Sequence, residues 1–303
     1  MGMSETALTP SADAVAAVRR HPDFSQAIRS SAARSVALYQ TSRLLNALLS
    51  DRARALFTHV ALYLHYRGME PGQPGLTVSA MKDLCVQLRL CSPGRCEAIL
   101  ALMRAGGLLA AAPDPDRRKR LLAPTEKLLA LHRERWGSQF HAMRAVLPEA
   151  DAYGAAVTEP DFVEAFASAL VRRFIAGLRV LDNAPELELF AERNAGMMIL
   201  YSLALTGAEG DTFPPIGPVG LSINALATRF SVSRKHVLTL LRDAEGQELL
   251  VRGGAGNSEV TLLPRGRDAL EKLIATIFLY LALCADEALH ARASSRPAMT
   301  VNG

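Results

Sequence analysis

Apolar residues recur at helical spacing along most of the chain, and short β-like runs interrupt this pattern in two places. An apolar stripe that repeats every three or four residues indicates an amphipathic helix with one buried face. Long helices are predicted at about 23–48, 51–67, 125–147, 161–182, 185–206 and 265–291. The chain is therefore expected to be mostly helical.

Two pairs of shorter helices are predicted between the long ones, at 77–90 with 92–107 and at 222–230 with 233–246. Ser92 and Ser233 stand where a side-chain oxygen can cap the second helix of each pair. Two β-like runs follow each pair, "LLAAA" and "RLLA" in one case and "ELLVR" and "SEVTLL" in the other. Two short helices, a tight turn and a hairpin form the order of a winged helix-turn-helix.

The chain also repeats itself at a spacing of roughly 140 residues. "HPDFSQAI" at 21–28 returns as "EPDFVEAF" at 159–166, and "LLAPTEKLLAL" at 121–131 corresponds to the segment around Pro264. We predict an internal duplication whose copies have ordinary domain size. The predicted parts are a disordered tail at 1–11, a first repeat at 12–150 with its winged helix at about 50–135, a second repeat at 158–292 with its winged helix at about 185–275, and a disordered tail at 293–303.

The second short helix of the second repeat begins with hydrogen-bond donors. In a helix-turn-helix, this is the part of the chain that meets DNA base edges in the major groove. The candidate DNA contacts are Ser233, Arg234, Lys235, His236 and Thr239, with Arg252 before the hairpin loop. The alternative interpretation is that these residues form an ordinary helix start that contacts only water.

The first repeat places its cations differently. Its helix start offers Ser92 and Arg95, and Glu97 could accept from a cytosine. Its hairpin loop instead carries four consecutive cations, which could reach phosphates or a narrow minor groove: Arg117, Arg118, Lys119 and Arg120. The alternative is a charged, soluble hairpin tip in which Asp114 and Asp116 pair with these cations.

The stretch "PDRRKRLLAPTEKL" at 115–128 resembles the wing of MarR-family regulators, and "MRAGGLL" at 103–109 resembles that family's exit from its recognition helix. The resemblance covers most of 50–135 and, at lower quality, 185–275. It implies a helical dimerisation region, a winged helix-turn-helix and relief of DNA binding by small, often aromatic, ligands, for which no binding residues are assigned.

Two features depart from that family's pattern. The family normally has one unit per chain and dimerises, whereas this chain holds two, and the second wing, "RGGAGNSEV", lacks the Asp-Arg cluster. If the two repeats pair as family subunits do, one chain forms a pseudo-two-fold dimer with recognition helices about 34 Å apart. A homodimer of chains is the other possible assembly.

Composition and charge narrow the functional classes. Half of the residues are apolar, which favours a sizeable core, and the formal net charge is only +4, so an anionic partner must meet a local patch. Aromatic residues make up 6%, which disfavours a single-strand stacking surface. The longest apolar run, 273–285, is too short to span a bilayer, and no signal peptide is recognised. We expect a cytoplasmic protein without a membrane partner.

The sequence gives weaker evidence for redox, metal and catalytic sites. Cys91 and Cys96 flank a helix start, which lowers thiol pKa and would suit redox sensing, although buried apolar packing is the more common role. His59 and His65 lack a metal-ligand spacing. No catalytic triad, Walker or GxGxxG pattern is present, so neither an enzyme nor a cofactor or metal site is predicted.

The sequence therefore favours a transcription regulator, a repressor that binds specific double-stranded DNA. Two alternatives remain open, a replication initiator with tandem winged helices and a winged-helix module for protein interaction. The MarR-like wing disfavours the initiator, and the cations at both reading positions disfavour the interaction module.

The uneven distribution of cations predicts an asymmetric footprint. Replacing Arg117 and Arg118 by Ala should weaken protection of the half-site gripped by the first repeat more than that of the half-site read by the second. DNase footprinting of the double variant measures this difference. Equally weakened protection over both half-sites would contradict the predicted asymmetry.

Overall fold

The computed structural model describes residues 10–39, 52–70, 72–73, 75–113, 120–208 and 212–295. The protein is mostly helical with two small antiparallel sheets, which confirms the expected α-rich class with β-hairpins. The helices are α1 (Ala12–Arg19), α2 (Phe24–Tyr39), α3 (Arg52–Arg67), α4 (Val78–Gln87), α5 (Pro93–Ala105), α6 (Glu126–Met143), α7 (Ala150–Ala156), α8 (Pro160–Ile175), α9 (Glu188–Ala191), α10 (Gly196–Ala204), α11 (Ile223–Phe230), α12 (Arg234–Gly246) and α13 (Pro264–Ser295).

The two sheets lie in the regions where β-like runs were predicted. Strands β1 (Leu109–Ala111) and β2 (Leu122–Pro124) form a hairpin in which Ala110 pairs with Ala123. The second sheet has the order β3-β5-β4, built from β3 (Val219–Gly220), β4 (Leu250–Gly253) and β5 (Glu259–Leu262). Strand β3 was not predicted, because two residues are too few to show an alternating pattern.

The chain divides into two compact units that do not follow the predicted repeats. The first contains the described parts of Met1–Thr58, His141–Pro148 and Arg179–Leu279, and the second those of His59–Phe140, Glu149–Leu178 and Tyr280–Gly303. Each compact unit therefore combines segments from both halves of the chain. Helix α2, at the first Pro-Asp-Phe motif, lies in the compact unit that holds the second half's short helices, α11 and α12. Helix α8, at the second motif, lies in the compact unit that holds the first half's short helices, α4 and α5.

The first compact unit has its core around α2 and α10, which pack against each other. Tyr39 at the end of α2 meets Phe230 at the end of α11 edge to face, with ring centroids 5.6 Å apart. On α1, the Arg19 guanidinium binds Asp268 and Glu271 of α13, each at 2.7 Å. The N-terminal helices are thus bound to the C-terminal half by both apolar and charged contacts.

The second compact unit is built around five buried aromatic rings. Phe166 of α8 contacts the rings of Trp136, Phe140 and Phe162, with centroid distances of 5.0, 5.4 and 5.5 Å. Tyr153 of α7 packs on Phe140 and donates its hydroxyl hydrogen to Asp286, 2.6 Å away. The rings of Phe162 and Phe166 are stacked and the other pairs meet edge to face, and contacts of both kinds add to the free energy gained from burial alone.

One predicted helix, 185–206, is not continuous. The chain forms a short turn of 3-10 helix at Pro185–Leu187, then α9, and begins α10 only at Gly196. Ala195 adopts a left-handed backbone with φ of 56°, and a Cβ on Gly196 would lie 2.2 Å from the Phe190 carbonyl oxygen. This close backbone approach breaks the helix, and apolar periodicity does not reveal it.

Other boundaries also differ. Helix 161–182 ends at Ile175, and Gly177 follows with φ of 108°. Within the segments predicted as tails, Pro10 is buried, Ser11 caps α1, and α13 runs to Ser295. The remainder of both tails lies outside the described residues.

Helix α13 is longer than the apolar run that the sequence shows. Among the described residues it is the one helix long and apolar enough to cross a membrane, and 56% of its most apolar window is buried inside the protein. A core helix passes the same test of length and composition. A cytoplasmic location therefore stays a prediction.

Two histidines lie beside the only tryptophan of the chain. The rings of His59 and His132 are 4.7 Å apart, and Trp136 donates its indole hydrogen to Nε2 of His59 at 3.3 Å. Neither ring nitrogen of His132 has a hydrogen-bond partner among the described residues. Burial holds the pKa of His132 well below its ordinary value, and the nearby His59 and Arg135 lower it further.

This buried imidazole predicts acid lability. Between pH 7.5 and 5.5 the unfolded chain gains a proton at residue 132 that the folded protein does not bind, so stability falls as pH falls through about 6.5. His132→Leu should reduce that fall by about 1 kcal/mol. Urea unfolding followed by Trp136 fluorescence measures it at both pH values. An identical pH dependence in the two proteins would show that His132 does not cause the lability.

Candidate nucleic-acid interface

A tight turn joins α11 to α12. Ser231 ends α11 in the left-handed region with φ of 54°, and the Val232 amide donates back to the Ala227 carbonyl at 3.0 Å. Ser233 then caps α12, because its hydroxyl accepts from the His236 amide at 3.0 Å. The left-handed residue Ser231 ends α11 and the cap Ser233 begins α12, so together they fix the direction in which α12 begins.

Helix α12 has a buried face and a solvent face. Val237, Leu240, Leu241 and Ala244 are buried, whereas Val232 in the turn is half-buried. The cations at its start, Arg234 and Lys235, are exposed. A cationic helix start that faces solvent can bind an anion through its side chains and through its backbone amides.

The exposed face continues beyond the residues that the sequence singled out. Thr239 is half-buried, and Arg242 is exposed one turn further on. Lys235, Thr239 and Arg242 follow the spacing i, i+4 and i+7, which places them on one side of the helix. The helical period alone could have added Arg242 to the candidates.

His236 is held against its own compact unit. Its Nε2 lies 2.9 Å from the Asn194 carbonyl oxygen, so this nitrogen must carry the hydrogen. A second anchor lies nearby, where Arg193 binds Asp243 of α12 at 2.7 Å. The ring of His236 attaches α12 to the segment before α10, and its contact with DNA stays a prediction.

Arg252 is likewise engaged within the protein. Its guanidinium binds Glu245 with an Nε–Oε2 distance of 2.8 Å, and its backbone amide donates to the other oxygen of the same carboxylate at 2.8 Å. The Arg252 hydrogen bonds are the main cause that lowers the pKa of Glu245. The pair attaches strand β4 to α12, and a DNA contact by Arg252 stays a prediction.

The start of α5, which corresponds in the first half to the start of α12, has fewer exposed cations among the described residues. Ser92 caps α5 through a long 3.4 Å bond from the Arg95 amide, and the Arg95 side chain is exposed. Glu97, considered as a base-reading residue, binds Lys82 of α4 at 2.7 Å. Of the four wing cations, Arg120 is exposed, and Arg117, Arg118 and Lys119 lie outside the described residues.

Of the two cysteines that the sequence singled out next to this turn, Cys96 is buried, as the more common packing role predicts, and Cys91 is half-buried. Burial raises the pKa of Cys96 to about 11, although Cys96 stands near a helix start. Desolvation of the thiolate therefore outweighs the helix dipole at this residue. Cys85, which the sequence did not single out, is also buried, and burial, together with the neighbouring Cys91 and Cys96, raises the pKa of its thiol.

The remaining candidates offer no metal centre within the described ranges. His59 belongs to the buried cluster beside Trp136, and His65 is half-buried with its ring 5.2 Å from that of Tyr66. Burial lowers the pKa of His65. The described residues contain no group of three or more histidines, cysteines and carboxylates placed to hold a metal ion.

Comparison of the chain with protein-family models, with curated proteins and with solved structures gives no match. The function is therefore argued from the geometry of this surface.

The Glu245–Arg252 pair should stabilise the hairpin by about 1 kcal/mol, because a partly exposed ion pair is screened by water. A double-mutant cycle with Glu245→Gln and Arg252→Met, followed by circular dichroism during urea unfolding, measures the coupling. The pKa of Glu245 is lowered in the folded state, so the coupling is present above the unfolded carboxyl pKa and disappears as pH falls through the folded value. Strictly additive effects of the two substitutions at pH 7 would mean that the pair contributes nothing.

Proposed function

We propose that the protein is a transcription regulator that binds specific double-stranded DNA through tandem winged helix-turn-helix units. The observation that carries this proposal is the start of α12, where exposed Arg234 and Lys235 directly follow the tight turn from α11. Arginine and lysine side chains in this position can pair with guanine acceptors in the major groove.

The similarity of the two turns supports the tandem arrangement. Each has a left-handed residue, Arg89 or Ser231, and each has a hydrogen bond that spans five residues back, from Leu90 to Cys85 and from Val232 to Ala227. Each second helix then begins after a capping serine. Two turns that match in this detail agree with the proposed duplication.

The sheets supply the proposed wings. In the second half, the hairpin of β4 and β5 follows α12 directly, and β3 completes a small sheet beside it. In the first half, the Leu122 amide donates to the Leu76 carbonyl at 2.9 Å, which adds a third segment beside the hairpin of β1 and β2. A hairpin that follows the reading helix is the arrangement in which a wing can reach the DNA backbone.

The structure refines which residues we expect at the DNA. Arg234, Lys235, Thr239 and Arg242 form the proposed reading surface on α12, and Ser233 presents the helix start to a phosphate. His236 and Arg252 are assigned to positioning, since each is bound inside the protein. The contribution of Arg117, Arg118 and Lys119 stays a prediction from the sequence, as do repression and its relief by a small ligand.

Removal of the two cations at the start of α12 tests the proposal. Arg234→Ala/Lys235→Ala should lower affinity for DNA from the gene's own upstream region by tenfold or more, because a good base contact contributes roughly 1–3 kcal/mol. Fluorescence anisotropy over a salt series measures both the affinity and its salt dependence. The slope of log affinity against log salt should fall by about 1 for every phosphate that the variant no longer binds.

The matched control is Arg20→Ala/Arg144→Ala, which removes the same charge from exposed positions outside both helix pairs. This variant should bind DNA like the wild type. Equally weakened binding in both variants would indicate attraction by net charge alone, and no binding by the wild type at low salt would overturn the proposal.

A further inference from the structure

A four-residue segment, 193–196, holds helix α12 at two points, and we call this segment the clamp. The Arg193 guanidinium binds the Asp243 carboxylate at 2.7 Å, and Nε2 of His236 donates to the Asn194 carbonyl oxygen at 2.9 Å. His236 and Asp243 are seven residues apart, so both lie on the same side of α12 and are separated by about two turns. Two bonds at this separation limit both the tilt and the rotation of the helix.

The backbone of the clamp is fixed by close packing. Ala195 lies in the left-handed region with φ of 56°, and the Gly196 amide donates back to the Arg193 carbonyl oxygen at 2.9 Å. A Cβ on Gly196 would lie 2.2 Å from the carbonyl oxygen of Phe190, whose side chain is fully buried. A residue other than glycine keeps a left-handed backbone only where its surroundings determine it, so this packing holds the clamp in its conformation.

Both neighbours of the clamp belong to the packed part of its compact unit. Helix α9 ends shortly before the clamp and contacts α12, whereas α10 begins at Gly196 and packs on α2. The two bonds therefore fix α12 relative to the core around α2 and α10.

The corresponding positions of α5 differ in chemistry. Counted from the capping serine, His236 corresponds to Arg95 and Asp243 corresponds to Leu102. Both residues of α5 are exposed, and the side chain of Leu102 cannot form an ion pair. The attachment at two points is therefore a property of α12 and not of the helix pair as a fold.

The two bonds of the clamp suit positioning better than they suit stabilisation of the fold. The Arg193 and Asp243 side chains are each 37% exposed, so water screens their ion pair and it adds little to the free energy of folding. A side chain that reads a base edge must nevertheless be placed to within a fraction of an ångström, and weak bonds from a rigid support can supply this placement.

We propose that the clamp sets the sequence discrimination of α12, with Arg193 and His236 as positioning residues. Hydrogen bonds to base edges depend on the place and direction of each side chain, whereas attraction to phosphates depends mainly on charge. Loosening the clamp should therefore weaken binding to the specific sequence and spare binding to other duplexes. This inference rests on the proposed function, because it concerns how α12 meets DNA.

The test measures the ratio of two affinities of the full chain in the anisotropy assay. One duplex comes from the gene's own upstream region, and the other is a scrambled duplex of the same length and base composition. Arg193→Met/Asp243→Asn breaks the ion pair without changing the net charge. It should lower the ratio by about tenfold, since the loss of one good base contact changes affinity by roughly that factor. Affinity for the scrambled duplex and its salt dependence should not change.

Conservative variants separate positioning from a general structural role. The exchanged pair Arg193→Asp/Asp243→Arg should restore the ratio of the wild type. His236→Gln keeps an amide hydrogen near the place of Nε2 and should retain the ratio, whereas His236→Leu should lower it. The matched control is Arg292→Met/Glu159→Gln, which removes an ion pair outside both helix pairs and should leave the ratio unchanged. Circular dichroism during urea unfolding checks that every variant folds.

A wild-type ratio in both the broken ion pair and His236→Leu would overturn the role of the clamp and leave the proposed function in place. An equal loss of affinity for the two duplexes, an equal loss of the ratio in the control, or a ratio that the exchanged pair does not restore would also overturn it. A variant that no longer folds would show that the clamp serves the fold instead. If the wild type binds the two duplexes equally or binds neither, the proposed function itself fails.

Discussion

The burial of α2 and α8 is the constraint on which the structure depends. Each of these helices follows a Pro-Asp-Phe motif and has an apolar face that must be covered. Helix α2 is covered by α10 and α11, and α8 by the aromatic residues of α6. Because these partners come from the other half of the sequence, neither half of the chain contains a whole compact unit.

This dependence reaches the proposed DNA surface. Helix α12 is attached through His236 and Asp243 to the segment that precedes α10, and α10 packs on α2. The backbone break at Ala195 and the close approach at Gly196 fix the geometry of that segment. Helix α2 thus helps to set the direction in which Arg234 and Lys235 face, although it lies far from them in sequence.

The two helix pairs share a backbone design and differ in chemistry. The second presents exposed cations and holds Arg252 in an internal ion pair. The first neutralises Lys82 with Glu97 and buries Cys85 and Cys96. The exposed cations of the second pair suit the proposed recognition of an anionic partner.

The sequence by itself determined the helical class, the short helices, their serine caps and the strands that follow them. These features depend on interactions within a few residues, such as the bond from the His236 amide to Ser233, so the local pattern is sufficient. Only the tertiary structure decided that Arg252 and His236 bind within the protein, that α10 starts after a break, and that Cys85 and Cys96 are buried. Those outcomes depend on burial and on which groups meet across elements, and a one-dimensional pattern of apolar and polar residues does not specify these contacts.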